Sequence, residues 1–256
     1  MQFEKTLAIA VPKTRFKVFG KFQGRKSQAL CIMVHGLTGN MDESFYRLGT
    51  EYLARRGFAT YRLNLYGWPK GSRRLPDSTL RTHAQDLNAV TAYFRRKGFK
   101  KIFVVGHSYG GATILLSNPK NVDGAVLWDP THAASFTSRK WGGKPARFVR
   151  ELKAYLVDWG VVYLFGTAMI KEADQLDWDQ LATNFTAPTR IICAGSGVLK
   201  DGCKLYFETL PGKKDLKIVP HATHYFNDRA GMEDSVFRLT EQWFRKLATA
   251  KPKSKR

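Results

Sequence analysis

Short apolar runs and longer amphipathic stretches alternate along this chain of 256 residues. Phe16–Gly20, Ala29–Val34, Ala59–Leu65, Ile102–Val105, Ala125–Trp128, Thr189–Ala194 and Leu216–Val219 are brief and dominated by aliphatic, β-branched or aromatic residues, which predicts strands. Ala29–Val34 is apolar at every position, as a strand covered on both faces should be. Ser44–Gly57 instead carries Phe45, Leu48, Tyr52 and Leu53 at helical spacing and closes on a glycine suited to a helix end. Further helices are expected over Thr79–Gly98, Gly111–Leu116, Gly202–Thr209 and Glu233–Ala248. Strands alternating with helices imply an α/β protein with a mostly parallel, doubly wound sheet.

The alternation breaks between Ser135 and Phe185, a stretch too long for a simple connection. It holds Phe136, Trp141, Phe148, Tyr155, Trp159, Tyr163, Phe165, Met169 and Trp178. So many aromatic residues predict a packed insertion, expected here as a helical lid over residues 135–185, with a few rings facing a cleft. A chain of this length can bury one full core, so a single domain is expected over residues 1–250, followed by a basic tail over residues 251–256.

Composition narrows the setting. Cys31, Cys193 and Cys203 show no metal-like spacing, and the first two lie inside strand-like apolar runs, so core packing in a reducing compartment is expected. The N-terminus lacks the pattern of a secretory signal, and no apolar run approaches the roughly 20 residues needed to cross a bilayer, which points to the cytoplasm. Lys and Arg number 42 against 21 Asp and Glu, a net charge of +21. Such an excess can mark a footprint for nucleic acid or an anionic surface. The basic residues are scattered, however, and the one dense block is the proline-containing tail, so a solvated basic surface is the favoured reading.

The chemistry concentrates in Gly106-His107-Ser108-Tyr109-Gly110, which follows the strand Ile102–Val105 and leads into a small-residue helix. A serine between two glycines at a strand-to-helix turn fits the elbow that exposes a nucleophilic hydroxyl, the glycines permitting close backbone approach. Hydrolysis through a covalent serine intermediate is the activity this pattern implies. The glycines do not follow G-x-G-x-x-G, which disfavours a dinucleotide site. A serine needs a base, and of the six histidines only His221 and His224 follow the last predicted strand. A zinc reading of His221-x-x-His224 lacks a third ligand. His83 and Asp86, on a helix before the elbow, are expected to be surface or capping residues.

These residues resemble the α/β-hydrolase superfamily over about Leu30 to Phe244. His35-Gly36 after the second expected strand is similar to the family's oxyanion loop, the elbow fits its nucleophile turn, and Pro220-His221-Ala222-Thr223-His224-Tyr225-Phe226 is similar to the segment bearing its base. His35-Gly36-Leu37-Thr38-Gly39-Asn40, the segment Arg56-Gly57-Phe58-Ala59 and the insertion look most like the cinnamoyl or feruloyl esterase branch and its monoacylglycerol-lipase relatives. The resemblance implies a cofactor-free serine carboxylesterase acting on small to medium acyl or aryl esters. Ser108 would be the nucleophile and His224 the base; the Gly36 loop would bind substrate, with the backbone N–H groups of Leu37 and Tyr109 holding the oxyanion.

The acid departs from the family's pattern, because its usual place after Thr189–Ala194 falls at about Gly197 or Val198, neither of which carries a carboxylate. Two candidates stay open. Asp129, ending the strand Ala125–Trp128, resembles the alternative acid site of pancreatic-type lipases and haloalkane dehalogenases; Asp201 lies closer to the usual place but precedes Gly202, where it could cap a helix. Acyl transfer or thioester cleavage would use the same residues. A non-catalytic hydrolase scaffold that lost its acid and binds a polyanion is the alternative from another class.

Overall fold

The computed structural model describes residues 4–26, 28–117, 119–132, 140–141 and 143–249. Its body is an eight-stranded sheet. In chain order it contains β1 (Lys5–Ala10), β2 (Lys17–Gln23), β3 (Leu30–Val34), α1 (Ser44–Arg55), β4 (Ala59–Asn64), α2 (Leu80–Arg96), β5 (Ile102–His107), α3 (Tyr109–Leu116) and β6 (Gly124–Trp128). After the insertion come β11 (Thr189–Ala194), α5 (Lys200–Thr209), β12 (Lys214–Val219) and α6 (Met232–Ala248). The strand order is β1-β2-β4-β3-β5-β6-β11-β12. β1 and β2 pair antiparallel at one edge, and every pairing from β4 to β12 is parallel.

The inner strands β3, β5, β6 and β11 are buried along their whole length, and the period of two sends successive side chains to opposite faces. Leu30, Ile32, Val34, Ile102 and Val104 join Leu87 and Val90 of α2, Ile114 of α3 and Tyr206 of α5 in one core. Cys31, Met33, Phe103 and Val105 join Phe45 and Leu53 of α1 and Val236, Trp243 and Phe244 of α6 in the other. Cys31, Cys193 and Cys203 are free and buried in these layers. Helix α2 starts where the Thr79 hydroxyl accepts from the Thr82 N–H and the Thr82 hydroxyl accepts in return from the Thr79 N–H.

Two expectations need correction. Among its described residues the insertion contains one helix, α4 (Thr167–Gln175), and an antiparallel sheet of β7 (Lys140–Trp141), β8 (Lys144–Val149), β9 (Ala154–Asp158) and β10 (Val162–Gly166), in the order β10-β9-β8-β7. Aromatic and aliphatic residues meet across its strands, Phe148 opposite Tyr155 and Tyr155 opposite Phe165, and such pairs stabilise a sheet face where helical packing was expected. Trp141 and Phe165, ring centroids 4.4 Å apart, join the insertion to the first core. Second, His83 and Asp86 are buried rather than on the surface. Asp86 accepts from Arg73 Nε at 2.8 Å in a buried ion pair, and His83 lies between the rings of Tyr66 and Tyr109. Strand β1 had no counterpart in the apolar pattern, because an edge strand buries little: of its residues only Ile9 is buried. Phe136 and the tail over residues 251–256 lie outside the described residues.

Candidate active site

The elbow forms at the C-terminal end of β5, near the middle of the sheet. Ser108 has φ +55° and ψ −122°, a region that side-chain-bearing residues rarely occupy, and its N–H donates to the Trp128 carbonyl at 2.9 Å. A Cβ at Gly106 would overlap the Gly110 backbone, and one at Gly110 would overlap the carbonyls of Val34 and His35, so both glycines are demanded by close approach. The Ser108 hydroxyl shares a hydrogen bond with the Thr131 hydroxyl at 3.1 Å.

Strand β6 lies between β5 and β11, and this order carries Asp129 beside the elbow. His224, in the loop after β12, donates or shares the proton at Nδ1 with Asp129 Oδ2 at 2.7 Å. Asp129 is fully buried, whereas the His224 side chain is 32 % exposed. The second oxygen, Oδ1, accepts from the Ala194 N–H at 3.0 Å and from the Cys203 thiol at 3.6 Å. Burying a carboxylate is costly unless its lone pairs are satisfied, and here three donors face it. A Cβ on Gly197 would lie 3.2 Å from Asp129 Oδ2, so the place where the sequence resemblance would put an acid adjoins the Asp129 carboxylate.

Asp201 is not the carboxylate that meets His224. It sits in the first turn of α5, where its side chain is 95 % exposed and pairs with Lys204 at 3.3 Å, and the helix N-cap is Leu199. His221 is exposed in the preceding turn with φ +61°. Among the described residues, the group with metal-ligand proximity is Asp129, Cys193 and Cys203, and it includes neither His221 nor His224. That Cys193 and Cys203 converge beneath Asp129 was invisible in their sequence spacing.

Gly36 and Leu37 face Ser108 from the loop after β3. His35 Nδ1–H donates to the Gly36 carbonyl at 2.7 Å, and Nε2 accepts from the Leu65 N–H at 3.1 Å, so the ring bridges the loop to β4's end. Burial lowers the His35 pKa to about 4, which keeps it neutral and suited to that one-donor, one-acceptor role. Tyr109 begins α3 with its side chain in the core, placing its N–H at a helix N-terminus, where negative charge is favoured.

A cavity of about 300 Å³ brings together Gly36, Leu37, Thr38, Ser108, Thr131, Trp159, Val198, Leu199, His224 and Tyr225. A larger open cleft of about 590 Å³ runs along α4 between Tyr155 and Gln175, but it holds neither the elbow serine nor a histidine, so size does not choose between them. Trp159, from the β9–β10 turn, is the insertion's contribution to the cavity. Thr131, Leu199 and Tyr225 escaped the sequence reading; Thr131 and Tyr225 stand two positions and one position from Asp129 and His224, a proximity signal that could have drawn attention to them.

The profile of the Alpha/beta hydrolase family matches residues 31–249. The chain belongs to this family. No curated protein matches the sequence. Among solved structures, ferulic-acid-bound Est1E from Butyrivibrio proteoclasticus superposes on this alpha/beta hydrolase with a TM-score of 0.80 at 19 % identity, covering 95 % of this chain and 100 % of that one. Dienelactone hydrolase from Anabaena variabilis gives 0.68 at 18 % identity, over 96 % and 98 % of the two chains. Mouse alpha/beta hydrolase domain-containing protein 10 gives 0.71 at 15 %, over 95 % and 99 %. At these identities the likeness is one of fold. No helix among the described residues is long and apolar enough to cross a membrane.

Proposed function

We propose that this alpha/beta hydrolase is a serine carboxylesterase that cleaves small to medium acyl or aryl esters through an acyl-serine intermediate. The observation that carries the reading is the 2.7 Å contact of His224 Nδ1 with the buried Asp129 carboxylate, at a cavity that also holds the elbow hydroxyl of Ser108. Asp129 holds the His224 proton on Nδ1 and leaves Nε2 free to act as base. Rotation of the Ser108 side chain moves its hydroxyl from Thr131 to His224; the serine oxygen then attacks the ester carbonyl while Nε2 takes its proton. The N–H groups of Leu37 and Tyr109 receive the oxyanion, a geometry worth roughly 3 kcal/mol per donor. Collapse expels the alcohol with the proton held by His224, and water, activated by the same imidazole, releases the acid and restores Ser108.

The cavity walls support this substrate class. Leu37, Trp159, Val198, Leu199 and Tyr225 are apolar or aromatic, and among the described residues no Lys, Arg, Asp or Glu lines the cavity, despite the protein's charge of +21. Such a lining accepts a neutral acyl or aryl group. Est1E was solved with ferulic acid bound, which makes a feruloyl ester a natural member of the substrate panel. The three buried free thiols support a reducing, cytoplasmic setting. A chain-length series of p-nitrophenyl esters together with methyl ferulate tests the reading. Turnover of at least one ester, with fluorophosphonate labelling of Ser108, is expected; no turnover and no labelling would overturn it.

A further inference from the structure

Beneath the cavity, a chain of buried hydrogen bonds joins the two loops that flank Ser108. The Gly36 N–H donates to the Tyr46 hydroxyl at 2.9 Å, that hydroxyl meets His107 Nδ1 at 2.9 Å, and His107 Nε2 meets the His224 carbonyl at 2.8 Å. Tyr46 belongs to α1, and His107 ends β5, immediately before the elbow serine. Both side chains are almost fully buried, and neither lines the cavity. We propose that Tyr46 and His107 are positioning residues that hold the oxyanion loop and the His224 loop in fixed relation to Ser108. The proposal rests on the esterase reading of this site.

The direction of the chain is determined by chemistry. A carbonyl can only accept, so His107 Nε2 must carry hydrogen. In a neutral imidazole Nδ1 is then the acceptor, and Tyr46 must donate to it. The Tyr46 oxygen in turn accepts from Gly36, leaving one consistent sequence from Gly36 through Tyr46 and His107 to His224. Moving the hydrogen to Nδ1 would set the Nε2 lone pair against the His224 carbonyl oxygen. Protonating the ring would make Nδ1 a donor, so the Tyr46 proton would lose its acceptor.

The surroundings favour the neutral ring. Burial, followed by the nearby His224, pushes the His107 pKa well below the usual histidine value, and His35 acts in the same direction. Around Tyr46 stand Glu43, Tyr225 and Tyr66, and burial keeps its hydroxyl protonated. The His107 and His224 rings lie 4.6 Å apart between centroids, so a charged His107 would oppose the imidazolium that the proposed mechanism forms on His224. A neutral His107 braces the base's backbone without opposing its charge. The chain also reaches Gly36, whose neighbour Leu37 offers an oxyanion N–H, so one element sets the separation between base and oxyanion donor.

Tyr46→Phe cuts the chain at the Gly36 end, and His107→Asn cuts it at the His224 end. Each should lower kcat on a p-nitrophenyl ester by roughly 10- to 100-fold, because small misplacements of reacting groups are costly. KM should move by no more than about 2-fold, since neither side chain touches the cavity. The double variant should be no slower than the worse single one, as two cuts in one chain are not additive. Nitrogen-detected NMR of the wild-type imidazoles should show His107 as a single neutral Nε2–H tautomer from about pH 6 to 8, and Tyr46→Phe should remove that singularity. Folded single variants with unchanged kcat, additive losses, or an Nδ1–H or charged His107 in the wild type would each overturn the proposal. The tautomer measurement needs no turnover: an inactive wild type sinks the esterase reading, and the NMR result then decides the chain alone. If His107→Asn does not fold, Tyr46→Phe supplies both readouts.

Discussion

The sheet body and the insertion are both rich in aromatic and aliphatic residues, yet they differ in how they use them. In the body, β3, β5, β6 and β11 are buried on both faces, and their C-terminal ends deliver Gly36, Ser108, Asp129 and the loops around them to one place. In the insertion, β8 to β10 keep one side exposed, with Phe148 and Val162 in contact with solvent, and among its described residues Trp159 alone lines the cavity. The difference teaches a division of labour: the buried parallel layer holds the groups proposed for bond making, and the antiparallel cap supplies a wall. If that division is right, damage to the body should abolish chemistry, and damage to the cap should alter substrate choice.

The largest effect should come from Ser108→Ala, which removes the proposed nucleophile while disturbing little packing. Ester turnover should fall to the background of the uncatalysed reaction, with an unchanged circular dichroism spectrum; retention of more than a few per cent of the rate, about 5 % being ample to decide, would end the serine mechanism. Asp129→Asn should follow, with kcat lower by roughly 10³- to 10⁴-fold, because His224 loses the carboxylate that fixes its tautomer and offsets its developing charge. Asp201→Asn, measured beside it, should leave kcat intact, since that side chain is 95 % exposed and pairs with Lys204.

A cap substitution should act differently. Trp159→Ala enlarges the cavity and removes an aromatic wall, so KM for butyryl or feruloyl esters should rise by about 10-fold while kcat on the acetyl ester changes little. An equal collapse of kcat on every ester would erase the distinction between body and cap.

The last effect is read on stability alone, as a slope of the thermal midpoint with pH, and concerns the protonation of His35, His83 and His107. Burial depresses all three, His35 to about 4. A histidine whose folded pKa lies below its unfolded value of about 6.5 binds its proton more readily when unfolded, so its stabilising contribution is complete above about pH 6.5 and is lost as pH falls toward the folded pKa. His35 alone corresponds to on the order of 3 kcal/mol across that window. Thermal midpoints should therefore drop between about pH 6.5 and 4, and His35→Gln should flatten the slope if it folds. A wild-type midpoint indifferent to pH in that window would show that the three rings are not held neutral by the fold.

Much of the body was legible because its signals are local. Runs such as Leu30–Val34 and Ile102–Val105 announce covered strands, and the helix over Ser44–Arg55 follows its apolar spacing to within a turn of Gly57. The insertion was misread as helical because its aromatic residues fit either periodicity when considered alone. Their strand pairing, Tyr155 with Phe165 and Phe148 with Tyr155, depends on neighbours outside any short window. His83 and Asp86 were misplaced for a similar reason: a polar residue's burial depends on the partner that receives it, and Arg73 lies on another segment.

By itself the sequence determined the alternation of strands and helices, the elbow around Ser108 and the histidine-bearing turn after the last strand. Each is a demand made by neighbouring residues on their own backbone: apolar periodicity, or glycines where no side chain fits. Only the tertiary structure decided which carboxylate meets His224, because Asp129 is 95 residues away from it and arrives there through the placement of β6 between β5 and β11. The convergence of Cys193 and Cys203 on Asp129, and the link from Gly36 through Tyr46 and His107 to His224, have the same origin. Hydrogen bonds and ion pairs act over a few ångströms in space, and strand order, not distance along the chain, determines which groups come that close.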